Sequence, residues 1–174
     1  FERLAPLYID WLHQRDRQGA QWLTGEERLA SRPPALGGIE LAGRVDRIDT
    51  VPRAGGAAAQ LIDYKTGQVE GLRQKVKDLD EDTQLAFYAA LAAARAGGSV
   101  EAMYLALDGS QGIAEVLHPG VQRSAERLLA GLADDIERLR AGAGLAPLGE
   151  GRACEWCAAR GICRRDHWSG QAPA

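Results

Sequence analysis

Residues 59–65, AQLIDYK, run two apolar side chains straight into Asp63, Tyr64 and Lys65, and Thr66-Gly67 follows at once. A strand presents positions i and i+2 on one face, so Asp63 and Lys65 point one way and Tyr64 the other. Burying such ions without partners costs both their hydration. A chain with this segment must therefore fold so that an apolar strand ends in charge at the rim of its core. Taken alone, D-x-K is an ordinary strand-end ion pair at the surface. The preceding segment changes that reading. Residues 39–49, IELAGRVDRID, contain β-branched residues and an alternating stretch and predict a strand carrying Asp46. TVPRAGGAA (50–58) holds the turn residues of a hairpin loop, which makes 59–65 the antiparallel partner and sets Asp46 beside Asp63.

Two carboxylates converging near one ammonium suit a hard divalent cation, with the remaining oxygen ligands from water and phosphate. That arrangement fits phosphodiester hydrolysis, in which the cation polarises the phosphate and acidifies bound water while Lys65 stabilises developing charge. Asp49 lies three residues after Asp46 and so faces away on a regular strand. It reads as a partner for Arg47 or a turn former before Pro52, not as a ligand.

The rest of the chain alternates helix and strand. Residues 2–18 space Leu4, Leu7, Tyr8, Trp11 and Leu12 as an amphipathic helix ended by Gly19. A charged stretch, 68–82, reads as a loop or an irregular helical lead-in. TQLAFYAALAAARA (83–96) predicts a helix stopped by Gly97-Gly98. Residues 99–107 and 112–117 predict a second strand pair around an Asp108-Gly109 turn. Pro119 opens a helix through Arg140 with Leu128, Leu132, Ile136 and Leu139 on one face. The expected fold class is α/β, a mixed sheet flanked by helices. A flexible connector (141–151) leads to a cysteine-containing C-terminal tail, so the expected division is a core over 1–150 and a tail over 151–174.

GRVDRID, then LIDYKTG, then a helix bearing QLAFY resembles the PD-(D/E)XK nuclease superfamily, and within it the RecB-like nuclease domains, most of all those of AddB-type helicase-nuclease subunits. The resemblance spans residues 39–167 and implies a restriction-endonuclease-like fold and a Mg2+- or Mn2+-dependent DNase. It implies that Asp46 and Asp63 bind the metal, that the Tyr64 carbonyl is a further ligand, and that Lys65 assists. Gln84 and Tyr88 match the family's Q-x-x-x-Y signature. As i and i+4 on a helix they share one face, where an amide and a phenol can hydrogen-bond the active-site strand or a phosphate; the plain alternative is a surface Gln and a half-buried Tyr. The family's upstream ligand has no clear match: His13, Glu26 and Glu27 are candidates, and surface roles are the safer reading of all three.

Three cysteines, Cys154, Cys157 and Cys163, form a C-x2-C-x5-C run that suits zinc or an iron–sulfur cluster. The resemblance implies that they belong to a [4Fe–4S] cluster completed by a distant cysteine, incomplete in this chain; His167 offers a Cys3His zinc site instead, and three metal-free thiols are the third possibility. An odd, clustered set is a poor disulfide framework, so a reducing, cytoplasmic setting is expected. Opening on Phe1, the chain is expected to be cut from a longer polypeptide.

A net charge of −3 argues against a uniformly basic nucleic-acid binder, though residues 64–77 carry Lys65, Arg73, Lys75 and Lys77 against Glu70. The expected partners are DNA and a helicase subunit, in the processing of double-strand breaks for recombination. The rival readings are a non-catalytic nucleic-acid-binding module of the same fold and a zinc-stapled interaction domain.

Overall fold

The computed structural model describes residues 2–77, 83–93, 95, 98–108, 112–144 and 157–163. It divides into two units, 1–134 and 135–174. The first holds a five-stranded sheet. The elements up to Arg140 run α1 (Leu4–Arg17), β1 (Gln21–Ser31), β2 (Leu41–Arg53), β3 (Gly56–Lys65), α2 (Val69–Lys75), α3 (Thr83–Ala93), β4 (Val100–Asp108), β5 (Gly112–Leu117) and α4 (Val121–Arg140), the last of which continues past the end of the first unit. Strand order follows chain order, β1-β2-β3-β4-β5. All pairs are antiparallel except β3 with β4, which are parallel and therefore need the crossover that α2 and α3 supply. This is the α/β architecture the sequence predicts, a mixed sheet with helices on both faces.

Strand alternation sorts the core. Leu61, Ala102, Tyr104 and Ala106 face α2, α3 and the start of α4, packing with Leu85, Ala89, Leu91, Val121 and Ala125. Ile62, Met103 and Leu105 face α1, around Trp11. Alanine-rich α3 sits close to β2 because Gly43 lies beneath it. A Cβ there would stand 3.1 Å from Leu91 Cδ1 and from Phe87 Cε1, closer than packed carbons settle.

The structure differs from these expectations in four places. The loop predicted over 50–58 is really strand: β2 runs to Arg53 and β3 starts at Gly56, so Ala54-Gly55 alone make the turn. Its Gly-Ala composition hides a strand whose order comes from ladder pairing rather than side-chain type. β1 was not foreseen. As an edge strand it buries little beyond Leu29, and Trp22 and Leu23 remain 63% and 59% exposed, so it lacks period-two patterning. Residues 68–82 do contain a regular helix, α2, pinned by buried Val69 and Val76. In α4 the innermost contacts come from Val121, Ser124 and Ala125 rather than from the predicted leucine stripe.

Within the second unit, the short helix α5 spans Arg160–Cys163. Among the described residues, no helix is long and apolar enough to cross a membrane.

Candidate active site

The β2–β3 ladder holds from the turn up to the Arg47–Ile62 pair, and the same register continued one step sets Asp46 against Asp63. Beyond Ile62, β3 pairs with β4 alone, through Asp63–Tyr104, Tyr64–Leu105 and Lys65–Ala106. The two strands of the hairpin thus part where the acids stand. β2 also bends there: Val45 and Ile48 enter the same core cluster, three positions apart, so strict alternation slips between them. Opposite the slip, between the Gly25–Arg47 and Glu27–Val45 pairs, Glu26 adopts a left-handed φ of 52°. The outcome is that Asp46 turns its carboxylate toward β3, where Oδ2 accepts the Tyr64 main-chain N–H at 2.9 Å. A side chain has replaced the ladder partner that β2 no longer provides.

Asp63 is 2% exposed. Its Oδ1 accepts a hydrogen bond from Gln84 Nε2 at 2.7 Å, and the same amide donates to Tyr88 Oη at 3.2 Å. Oδ2 lies 2.6 Å from Lys65 Nζ, an ion pair without hydrogen-bond alignment, so this buried oxygen has no hydrogen-bond donor among the described residues. Burial pushes the Asp63 carboxyl above the usual carboxylate range, and the neighbouring Asp46 charge adds to that; Lys65 and, more weakly, Lys75 pull it back. The carboxylate is held in a place that disfavours its charge. Lys65, at one-third exposure, is the pair's link to solvent.

Thus Asp46, Asp63, Lys65, Gln84 and Tyr88 come together at one rim of the sheet. Tyr64 divides: its main chain lies between Asp63 and Lys65, while its ring crosses to the α1 face, where its hydroxyl meets Tyr8 Oη at 2.8 Å. Burial and the Tyr8 hydrogen bond raise its phenol above the ordinary value. Asp49 points away from the site and pairs with Arg47, as predicted; it lies on the α1 face and is fully buried. Its Oδ1 takes Arg47 Nε at 2.7 Å and its Oδ2 takes an Arg15 guanidinium nitrogen at 2.8 Å. Burial works against the Arg47 charge but is outweighed by Asp49, so its pKa is raised.

The upstream candidates stay outside. His13 is exposed on α1. Glu26 meets Arg44 at 3.4 Å, and Glu27 meets Arg95 at 3.2 Å. Among the described residues, no three His, Cys, Asp or Glu side chains gather as a metal centre. The acidic complement is two carboxylates. They fit a hard cation: both offer oxygen, Asp63 has a buried oxygen short of a donor, and Mg2+ commonly takes one or two carboxylates plus waters. Cys154 and His167 lie outside the described residues. Cys157 is exposed, Cys163 partly buried, and both are free thiols.

Sequence reasoning did not single out Tyr104 or Lys75. The Tyr104 ring, fully buried opposite Asp63, lies 5.5 Å from Lys65 Nζ and 5.0 Å from Lys75 Nζ. Only the parallel pairing puts it there. The available signal, Lys75 in a basic stretch, names no partner.

Residues 1–164 match the family model described as the PD-(D/E)XK nuclease superfamily. No curated protein matches the chain significantly. Among solved structures, the crystal structure of a "Putative exonuclease" from Eubacterium rectale is 14% identical, with a TM-score of 0.46 over 87% of this chain. The chain spans 55% of that protein's length.

Proposed function

Since the chain belongs to the PD-(D/E)XK nuclease superfamily, we propose that its β2–β3 rim hydrolyses phosphodiester bonds of DNA with Mg2+ or Mn2+. The observation that carries this is Asp63: buried, raised in pKa, ion-paired to Lys65 at 2.6 Å, and facing Asp46 across strands that have parted. Asp46 and Asp63 would hold the cation, with the Tyr64 carbonyl as a further ligand by analogy with the family. The cation supplies a Lewis acid for the phosphate and lowers the pKa of a bound water.

The chain's own groups do the placing. Gln84 fixes one Asp63 oxygen, and Tyr88 fixes the Gln84 amide, so the carboxylate cannot swing away. Tyr64 N–H holds Asp46 in the gap. Lys65 keeps an ammonium where negative charge grows on the phosphate oxygens, in a site where burial strengthens that interaction.

The order of motifs and the C-x2-C-x5-C run support a finer reading. In it the domain belongs to an AddB-type subunit that trims double-strand-break ends for recombination beside a helicase. Its tail begins near residue 151, and Cys154, Cys157 and Cys163 are thiolate donors suited to a [4Fe–4S] cluster. The chain has three cysteines, so the fourth ligand would come from elsewhere.

The test is cleavage of single-stranded and duplex oligonucleotides by the purified chain with Mg2+ or Mn2+. Cleavage should vanish in D63N and K65A while DNA binding persists. Turnover that is absent in the wild type under every divalent cation, or unchanged in D63N, overturns the reading.

A further inference from the structure

Where β2 and β3 part, two hydrogen-bonded bridges still join them among the described residues. The first is Asp46 Oδ2, which accepts the Tyr64 N–H at 2.9 Å. The second passes through α1. Arg47 Nη1, on β2, donates to Tyr8 Oη at 3.3 Å, and Tyr8 Oη shares a 2.8 Å hydrogen bond with Tyr64 Oη, on β3. One phenol from a separate helix thus holds both the residue after Asp46 and the residue between Asp63 and Lys65.

The helix delivers that phenol from a rigid base. Tyr8, Trp11 and Arg15 are spaced by three and four, so they share one face of α1. Arg15 is tied to Asp49 at 2.8 Å, and Trp11 donates to Glu115 at 2.7 Å. The Tyr8 ring stacks on Trp11 with centroids 5.4 Å apart and meets the Tyr64 ring edge-on at 6.1 Å. Arg47 is fixed as well, by Asp49 and by the Trp11 ring 5.2 Å away. Phenylalanine at position 8 would keep the ring contacts. What the hydroxyl adds is direction, because a hydrogen bond fixes a distance and an angle whereas apolar burial does neither.

That direction matters because the strands supply no ladder here. The β2–β3 register ends at Arg47–Ile62, so main-chain bonds between the two strands do not set the spacing of the acids. A small hard cation such as Mg2+ demands near-ideal ligand geometry and is held poorly by a loose cleft. We propose that Tyr8 is a positioning residue: its hydroxyl, bridging Arg47 and Tyr64, sets the gap between Asp46 and Asp63 and with it the rim's hold on a divalent cation. The inference rests on the nuclease reading for the cation. The bridge itself is measurable without metal.

The experiment uses the whole chain, first metal-free by NMR amide exchange and then by Mn2+ titration followed by EPR. Wild type is compared with Y8F, Y64F, the double variant, and L12A, which thins the packing around Trp11 without touching the bridge. In Y8F the Tyr64 amide should exchange about fivefold faster relative to the amides of 59–61, the worth of one hydrogen bond. Its Mn2+ affinity should fall about tenfold, the lower end of what losing a group that orients metal ligands costs. Y64F should match Y8F, and the double variant should fall no further, because each change breaks the same bridge. L12A should speed all of these amides alike and keep Mn2+ affinity near wild type. Melting curves report folding, and Y64F stays informative if Y8F melts early. A Tyr64 amide that keeps step with 59–61 in Y8F overturns the proposal, as does a Y8F affinity equal to wild type. So do losses that add in the double variant, or an L12A loss of Mn2+ as large as that of Y8F. If wild type holds Mn2+ no better than D63N, the hydrolytic reading falls, while the exchange ratio still decides whether Tyr8 sets the gap.

Discussion

On the α1 face of the β2–β3 hairpin, Asp49 is sealed from solvent with a guanidinium on each oxygen, and both guanidiniums lie over the Trp11 ring at 5.5 and 5.2 Å. On the opposite face Asp63 is as deeply buried, yet one of its oxygens has only an ammonium close by without hydrogen-bond alignment. The two acids have the same burial and opposite completeness. Asp49 is saturated and so holds elements together, tying α1 to β2. Asp63 retains capacity for a further positive ligand. Burial alone does not separate the two acids; the partners each has taken do, two guanidiniums at Asp49 and one ammonium with an amide at Asp63.

That contrast predicts that variants on the two faces fail in opposite ways. The largest effect is expected at D63N, which should lower cleavage by about 10³-fold, the scale of losing one organised electrostatic group. Its stability should hold or rise: burial raises the Asp63 pKa, so the ionised form costs folding free energy above that pKa, and a neutral side chain removes the cost. Denaturant midpoints at pH 7 alongside turnover rates check both halves. D49N should do the reverse. Leaving Arg15 and Arg47 buried without their anion costs about 3–5 kcal/mol, while turnover per folded molecule stays near wild type. If D49N cuts as poorly as D63N, the two faces are not separate.

Smaller effects sharpen the comparison. G43V pushes against Leu91 and Phe87 and should cost about 1–3 kcal/mol. Because α3 carries Gln84, it should also slow cleavage, the one core change expected to reach the site. The smallest effect belongs to Arg53 and Glu101, half-exposed and joined by two 2.6 Å hydrogen bonds. The Arg53 hydrogen bond holds the Glu101 carboxyl below its ordinary value. A depressed acid stabilises above its unfolded pKa and loses that contribution as pH falls through the folded one. The melting difference between wild type and E101Q should therefore be present at pH 7 and vanish toward pH 3.

Much of the rim was legible because it obeys short-range periodicities. The i, i+2 spacing fixed Asp63 and Lys65 on one face, one turn of helix aligned Gln84 with Tyr88, and the hairpin set Asp46 against Asp63. Asp49 was legible as an Arg47 partner for the same reason. What stayed hidden depends on long-range pairing. Arg15 reaches Asp49 from another element, Tyr104 reaches Asp63 across the crossover, and β1 lies on an edge that demands no pattern. The separation of β2 from β3 beyond Ile62 was also invisible, since no residue type announces where a ladder stops.

The parting of the hairpin has a consequence for how the molecule is built. Residues 47–53 find their partners across a two-residue turn, but Asp63, Tyr64 and Lys65 receive a ladder only from β4, more than thirty residues onward. Local pairs close early and distant parallel ones late. In pulse-labelled hydrogen exchange, amides of 63–65 should gain protection after those of 47–53. A chain still emerging from the ribosome thus carries its acids without the bed they rest on, and its cutting edge is finished last.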